Sequence, residues 1–163
     1  MAAAIDAVSD TDRIELEESL RVDSLRVRGA VELHATCAHF VEELNGRLAE
    51  PAVSLDPPAY AESNYSDKGP VLFQLNLRGR LLQIEFEATE ETTSTEDFGK
   101  PYVMRGSMRA FNQRMLDGST VHEHGLFYCP MGKDAQWHYF DARSYRTGRL
   151  NEDFLARELE KLL

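Results

Sequence analysis

Apolar positions recur every three or four residues through the first third of the chain, then every second residue through most of the remainder. Leu20, Val27, His34, Val41 and Leu48 form one row at a seven-residue spacing, with Ala30, Cys37 and Leu44 as a companion row. That is one stripe of an amphipathic helix. The pattern is firmest over 30–49. Over 11–29 it is ambiguous, because Leu20/Val22 and Leu25/Val27 also alternate as strand residues do, Asp23 interrupts the stripe, and Gly29 reads as a break between two helices. Asp10 or Thr11 offers an N-cap, with Asp12 and Glu15 beside the positive helix end. Residues 1–10 read as a flexible lead-in, and 11–163 as a single domain. Pro51, Pro57 and Pro58 stop the helix, and 50–70 reads as a long surface loop.

Strict alternation begins at Val71. Residues 71–77 and 80–88 flank Arg78-Gly79, a two-residue hairpin signal. Pairing Leu77 with Arg80 sets Leu75 against Leu82, Phe73 against Ile84 and Val71 against Phe86, so the apolar partners share one face. An acidic, threonine-rich loop over 89–100 comes next. Residues 102–116 and 119–129 then flank Asp117-Gly118, a stronger turn signal. Pairing Leu116 with Ser119 places Tyr102, Met104, Met108, Ala110, Val121, Phe127 and Cys129 on the core face. Gly106 and Gly125 lie there too, leaving room for something to pack closely. The opposite face then carries Leu72, Leu81, Val103, Phe111, Leu126 and Tyr128 among polar residues. A last strand over 136–141 precedes a helix over 152–162, capped by Asn151, with Leu150 stapling to Leu155. The expected fold is α+β: a five-stranded antiparallel meander over about 71–141, covered on one face by the long helix of about 30–49, with a C-terminal helix.

With 163 residues and 42 % hydrophobic side chains, the chain can bury a core without disulfide staples. The net charge of −10 disfavours nonspecific contact with nucleic acid or an anionic membrane. Residues 101–150 run against that balance, with seven basic and four acidic side chains. The two cysteines, Cys37 and Cys129, are too few for a disulfide framework, so reduced thiols in a cytoplasmic protein are expected. No apolar run approaches membrane length, and residues 1–8 lack the basic start of a secretion signal.

Phosphate-loop, dinucleotide-fingerprint and nucleophile-elbow patterns are absent. The string His122-Glu123-His124 places both imidazoles on one side of a strand, roughly 6.5–7 Å apart. Such a pair supplies two metal ligands, and the expected register offers no third. Gln113 and Phe111 stand opposite, Arg109 lies diagonal to His124, and a nearby arginine repels a divalent cation. No cofactor is therefore expected. As catalytic groups, His122 and His124 would serve as acid and base, with Asp141 brought near by the last strand and Arg109 holding an anion. His34 and Cys37 read as a core-edge imidazole beside a buried thiol, with His39 pointing away.

Arg105, Arg109 and Arg114 share a strand with Phe111. Arg105-Gly106 opens like an RNA-recognition strand, but Ser107 and Arg109 occupy positions that need aromatic rings, so nucleic acid is not the expected partner. The apolar and basic mixture of the non-core face, with Arg105, Arg109, Phe111, His122, His124 and Tyr128 as its binding residues, favours a non-enzymatic interaction module that meets a protein partner or a second copy. The terminal helix covering that face is the bland reading of the same pattern. A small apolar or anionic ligand held near Met104, Gly106, Met108 and Gly125, between helix and sheet, is the first alternative. An enzyme using His122 and His124 is the second.

Overall fold

The computed structural model describes residues 1–112, 117–118 and 121–163. Helix α1 (Ala2–Gly46) opens the chain, followed by seven strands and a closing helix. The strands are β1 (Val53–Asp56), β2 (Val71–Leu77), β3 (Arg80–Thr93), β4 (Tyr102–Phe111), β5 (His122–Met131), β6 (Asp134–Asp141) and β7 (Arg146–Arg149), and the closing helix is α2 (Glu152–Glu160). The strands pair in chain order as one antiparallel sheet. The α+β class holds, with seven strands where the alternation marked five. The added strands β1 and β7 are four residues each, too short for alternation to register.

Helix α1 runs unbroken from Ala2, through the stretch 1–10 expected as a lead-in and the ambiguous 11–29, and through Gly29; Asp10 and Thr11 are interior and cap nothing, the Thr11 hydroxyl donating back to the Ala7 carbonyl. Gly29 is a point of closest approach to the sheet. A Cβ there would lie 2.5 Å from Tyr128 Cε1 and 2.8 Å from Met104 Cε. Trp137 Nε1 donates to the Gly29 carbonyl at 2.8 Å, which pins the helix to β6. One turn earlier, the buried guanidinium of Arg26 donates to the carbonyls of Val103 and Thr89 beside the register shift between β3 and β4. A buried cation is tolerated there because it satisfies strand carbonyls that the irregular pairing leaves open.

The β2–β3 hairpin has the register that alternation sets: Val71↔Phe86, Phe73↔Ile84, Leu75↔Leu82 and Leu77↔Arg80. Phe73, Leu75, Leu82 and Ile84 are fully buried beneath α1. The β4–β5 pairing differs from expectation. Met104 pairs with Tyr128, Met108 with His124 and Ala110 with His122. The expected anchor, Leu116 with Ser119, lies outside the described residues, as do Gln113 and Arg114. Strand β4 ends at Phe111 and β5 begins at His122. The observed register is shifted by an odd number of residues, which reverses the parity of β5. Leu126 and Tyr128 therefore join the core, while Phe127 and Cys129 move to the other face with Tyr102. The expected wall of Phe73, Ile84, Met108 and Phe127 loses its last member.

Helix α2 begins as its sequence directs: the Asn151 side chain accepts from Phe154 N–H, and acidic Glu152 and Asp153 fill the first turn. It does not cover the sheet's second face. Phe154 stacks on Tyr139 at 4.0 Å and meets His124 edge-on at 5.4 Å, so α2 lies beside α1 on the same face. Among the described residues the other face is left open apart from Phe98, which folds back from the β3–β4 loop to stack on Phe127 at 4.2 Å, and Tyr145, whose ring meets Phe140 edge-on at 6.1 Å.

Candidate functional site

The open sheet face holds three of the expected binding residues. Arg105 lies 3.2 Å from Glu87 and Arg109 3.3 Å from Glu123, both as exposed cross-strand pairs. Each contributes at most about 1 kcal/mol, and each leaves its guanidinium neutralised. Phe111 is half-buried opposite Leu81, with Leu72 exposed on the same face. Gly106 borders a shallow depression of about 360 Å³ with Arg105 and Phe127. Its missing side chain makes no pocket, because a Cβ at Gly106 would sit 2.1 Å from the Glu85 carbonyl oxygen. At Gly125 the fit is looser, since a Cβ there would lie 3.1 Å from the Phe127 ring edge. Met104 and Met108 are completely buried core residues. Within the aromatic patch, His138 is buried, and desolvation, aided by the Lys100 charge, lowers its pKa. Burial pushes the Cys129 thiol up to about 12.

The other expected residues stand on the helix-bearing face. Tyr128 is fully buried, its hydroxyl donating toward Glu32 at 3.4 Å, and burial raises its pKa to about 12. His122 and His124 share a side of β5, as alternation requires, but their surroundings separate them. His122 is exposed at the strand's start, with Arg143 Nη1 3.1 Å from its Nδ1. His124 is sealed under α2, its Nε2 3.1 Å from Glu158 Oε2 at an angle outside good hydrogen-bond geometry. Lys161 completes the cluster, donating to Glu158 at 2.6 Å. Burial acts to raise the pKa of Glu158, yet His124 and Lys161 together hold it below the ordinary value. Asp141 lies at the end of β6, where the Ser144 hydroxyl and then the Arg143 N–H lower its pKa as it shapes the β6–β7 turn. The arrangement is a buried structural ion cluster beside an exposed imidazole, not an acid–base pair facing a shared space. Among the described residues, no three His, Cys, Asp or Glu side chains converge as metal ligands.

His34 and Cys37 sit as the helical stripe predicts. His34 Nε2 is 2.7 Å from the Pro57 carbonyl, and Cys37 is fully buried with its pKa raised by desolvation to about 12. His39 faces outward and pairs with Glu152 at 2.7 Å.

Two surfaces escape the alternation and stripe patterns used above. The first is the start of α1. Every side chain over residues 3–21 is exposed, including Ile5, Val8, Ile14, Leu16 and Leu20, at 59–60 % each. A sequence signal for it exists, since Met1, Ile5, Val8, Leu16 and Leu20 fall within a sector of about 120° at helical pitch. The second is an apolar cleft of about 670 Å³ between the end of α1, the β2–β3 turn and α2. Its walls are distant in sequence, so no local pattern marks it. No helix of the described residues is long and apolar enough to cross a membrane. Comparison with known protein families, with curated proteins and with solved structures gives no match.

Proposed function

We propose that this chain is a protein-interaction module rather than an enzyme, and that its contact element is the projecting part of α1, which pairs antiparallel with the same segment of a second copy. One observation carries the reading: a helical arm of about 30 Å, at 1.5 Å per residue, exposes Ile5, Val8, Leu16 and Leu20 along one sector, with Ile14 on the opposite side, and packs on nothing among the described residues. Most helical stability comes from packing an amphipathic face, which the arm lacks within its own chain among the described residues, so a partner that covers its stripe stabilises it. Charge selects the orientation. Parallel arms set Asp12 against Asp12 and Glu15 against Glu15, whereas a two-fold axis between Asp12 and Arg13 sets Ile5 against Leu20, Val8 beside Leu16, and each Asp12 against Arg13 of the other copy. The arm is favoured over the open sheet face because Arg105 and Arg109 on that face already have carboxylate partners.

Light scattering of the full chain after size exclusion tests this. The wild type is expected to run as a dimer, and the double variant Leu16→Glu, Leu20→Glu as a folded monomer with unchanged Trp137 fluorescence. Because each copy carries −10, added salt should tighten association by screening their repulsion. A wild type that stays monomeric at every concentration overturns the proposal.

A further inference from the structure

The geometry points to a binding site for a single-chain carboxylate amphiphile, a free fatty acid, in the apolar cleft at the end of α1 remote from the arm. Phe40 and Leu44 from α1, Leu77 from β2 and Leu159 from α2 form its apolar walls, and Leu48 and Leu163 stand exposed at its rim. A volume of about 670 Å³ falls in the range of small-molecule sites, and the lining matches their usual chemistry of apolar walls with few polar groups. Three elements brought together by the fold leave this space unfilled, although the core a few residues away is packed to zero exposure at Leu75 and Leu82.

The polar groups identify the headgroup. Arg78 lies at the tip of the β2–β3 turn, held there with φ 51°, and makes no ion pair among the described residues. Arg80 is fixed beside the cleft, its Nε donating to the Leu162 carbonyl at 2.7 Å, which leaves the outer edge of the guanidinium for an anion. Arginine presents a planar fork that matches a carboxylate. Glu50 and Glu160 also border the cleft and bring its formal charge to zero, which disfavours a phosphate dianion more than a single carboxylate held by one arginine fork. An acyl chain laid along Leu44 and Leu159 with its carboxylate at Arg78 and Arg80 satisfies both parts of the surface. This site does not depend on the pairing of the arms.

Calorimetric titration of the full chain with dodecanoate below its micelle concentration, with 1-dodecanol as the neutral control and native mass spectrometry for stoichiometry, tests the inference. One dodecanoate per chain is expected, with dodecanol binding more weakly. Arg78→Ala should weaken dodecanoate by about three- to tenfold, the range of a partly exposed charge pair, and leave dodecanol unchanged. Leu48→Asp should weaken both by more than about tenfold. Both positions are exposed, so neither variant threatens the fold. Equal affinity for acid and alcohol, absence of saturable binding, indifference to both variants, or displacement of dodecanoate by a peptide of residues 2–21 would each overturn the assignment.

Discussion

Replacing Gly29 with alanine is the sharpest test of how α1 sits on the sheet. In a solvated helix interior this change stabilises, by about 0.8–1 kcal/mol, because alanine loses less backbone freedom on folding. At Gly29 the new methyl would lie 2.5 Å and 2.7 Å from two ring atoms of Tyr128 and 2.8 Å from Met104 Cε. Met104 can bend away, but the Tyr128 ring is fully buried against Trp137 at 5.1 Å and has nowhere to go. The helix must instead lift, which strains the Trp137–Gly29 hydrogen bond. Overpacking costs about 1–3 kcal/mol and the weakened bond about 1 kcal/mol more. Against the propensity gain, the net expected loss is about 1–3 kcal/mol. For a urea slope near 2 kcal/mol/M, the midpoint should fall by about 0.5–1.5 M. Gly46 provides the control within the same helix. A Cβ there meets nothing within 4 Å, so Gly46→Ala should raise the midpoint or leave it unchanged. A Gly29→Ala variant as stable as the Gly46→Ala variant would refute the close approach, and with it the parity of β5 that puts Tyr128 under the helix.

The same contacts set further expectations. Glu158 is held below its ordinary 4.5 in the folded chain, so its pairing with His124 and Lys161 stabilises above that pH and is lost as pH falls through the lower folded value. Glu158→Gln should therefore cost about 1–3 kcal/mol near neutrality, with the gap to wild type closing in melts run below pH 4.5; a gap independent of pH would contradict this. Gly106→Ala places a methyl 2.1 Å from a backbone oxygen that no rotamer change can move, and should lower stability by about 3 kcal/mol or more in urea melts. Both thiols are buried with pKa values pushed to about 12, so a thiol reagent applied at about pH 8.5, where a free cysteine is half ionised, should label Cys37 and Cys129 only on unfolding.

The sequence by itself determined the elements whose causes are local. Alternation around Arg78-Gly79 fixed the β2–β3 register residue by residue, because a two-residue turn leaves no slack and a slip would expose Phe73 and Ile84. Asn151 set the start of α2, and the heptad rows placed Ala30, His34 and Cys37 in the buried stripe of α1, although Leu20 and Leu48 of the same rows are exposed and Leu25, Leu33 and Phe40 complete the stripe. Only tertiary structure decided the rest. The chain between β4 and β5 is long enough to permit either parity, and packing chose the one that seats Tyr128 and Trp137 against Gly29. That choice separates His124 from Arg109 and moves Phe127 to the open face, so the binding set built on the other parity divides between two faces. The cleft and the placement of α2 beside α1 are likewise long-range outcomes. They depend on which apolar faces meet, and hydrophobic attraction has no direction that a local pattern could encode.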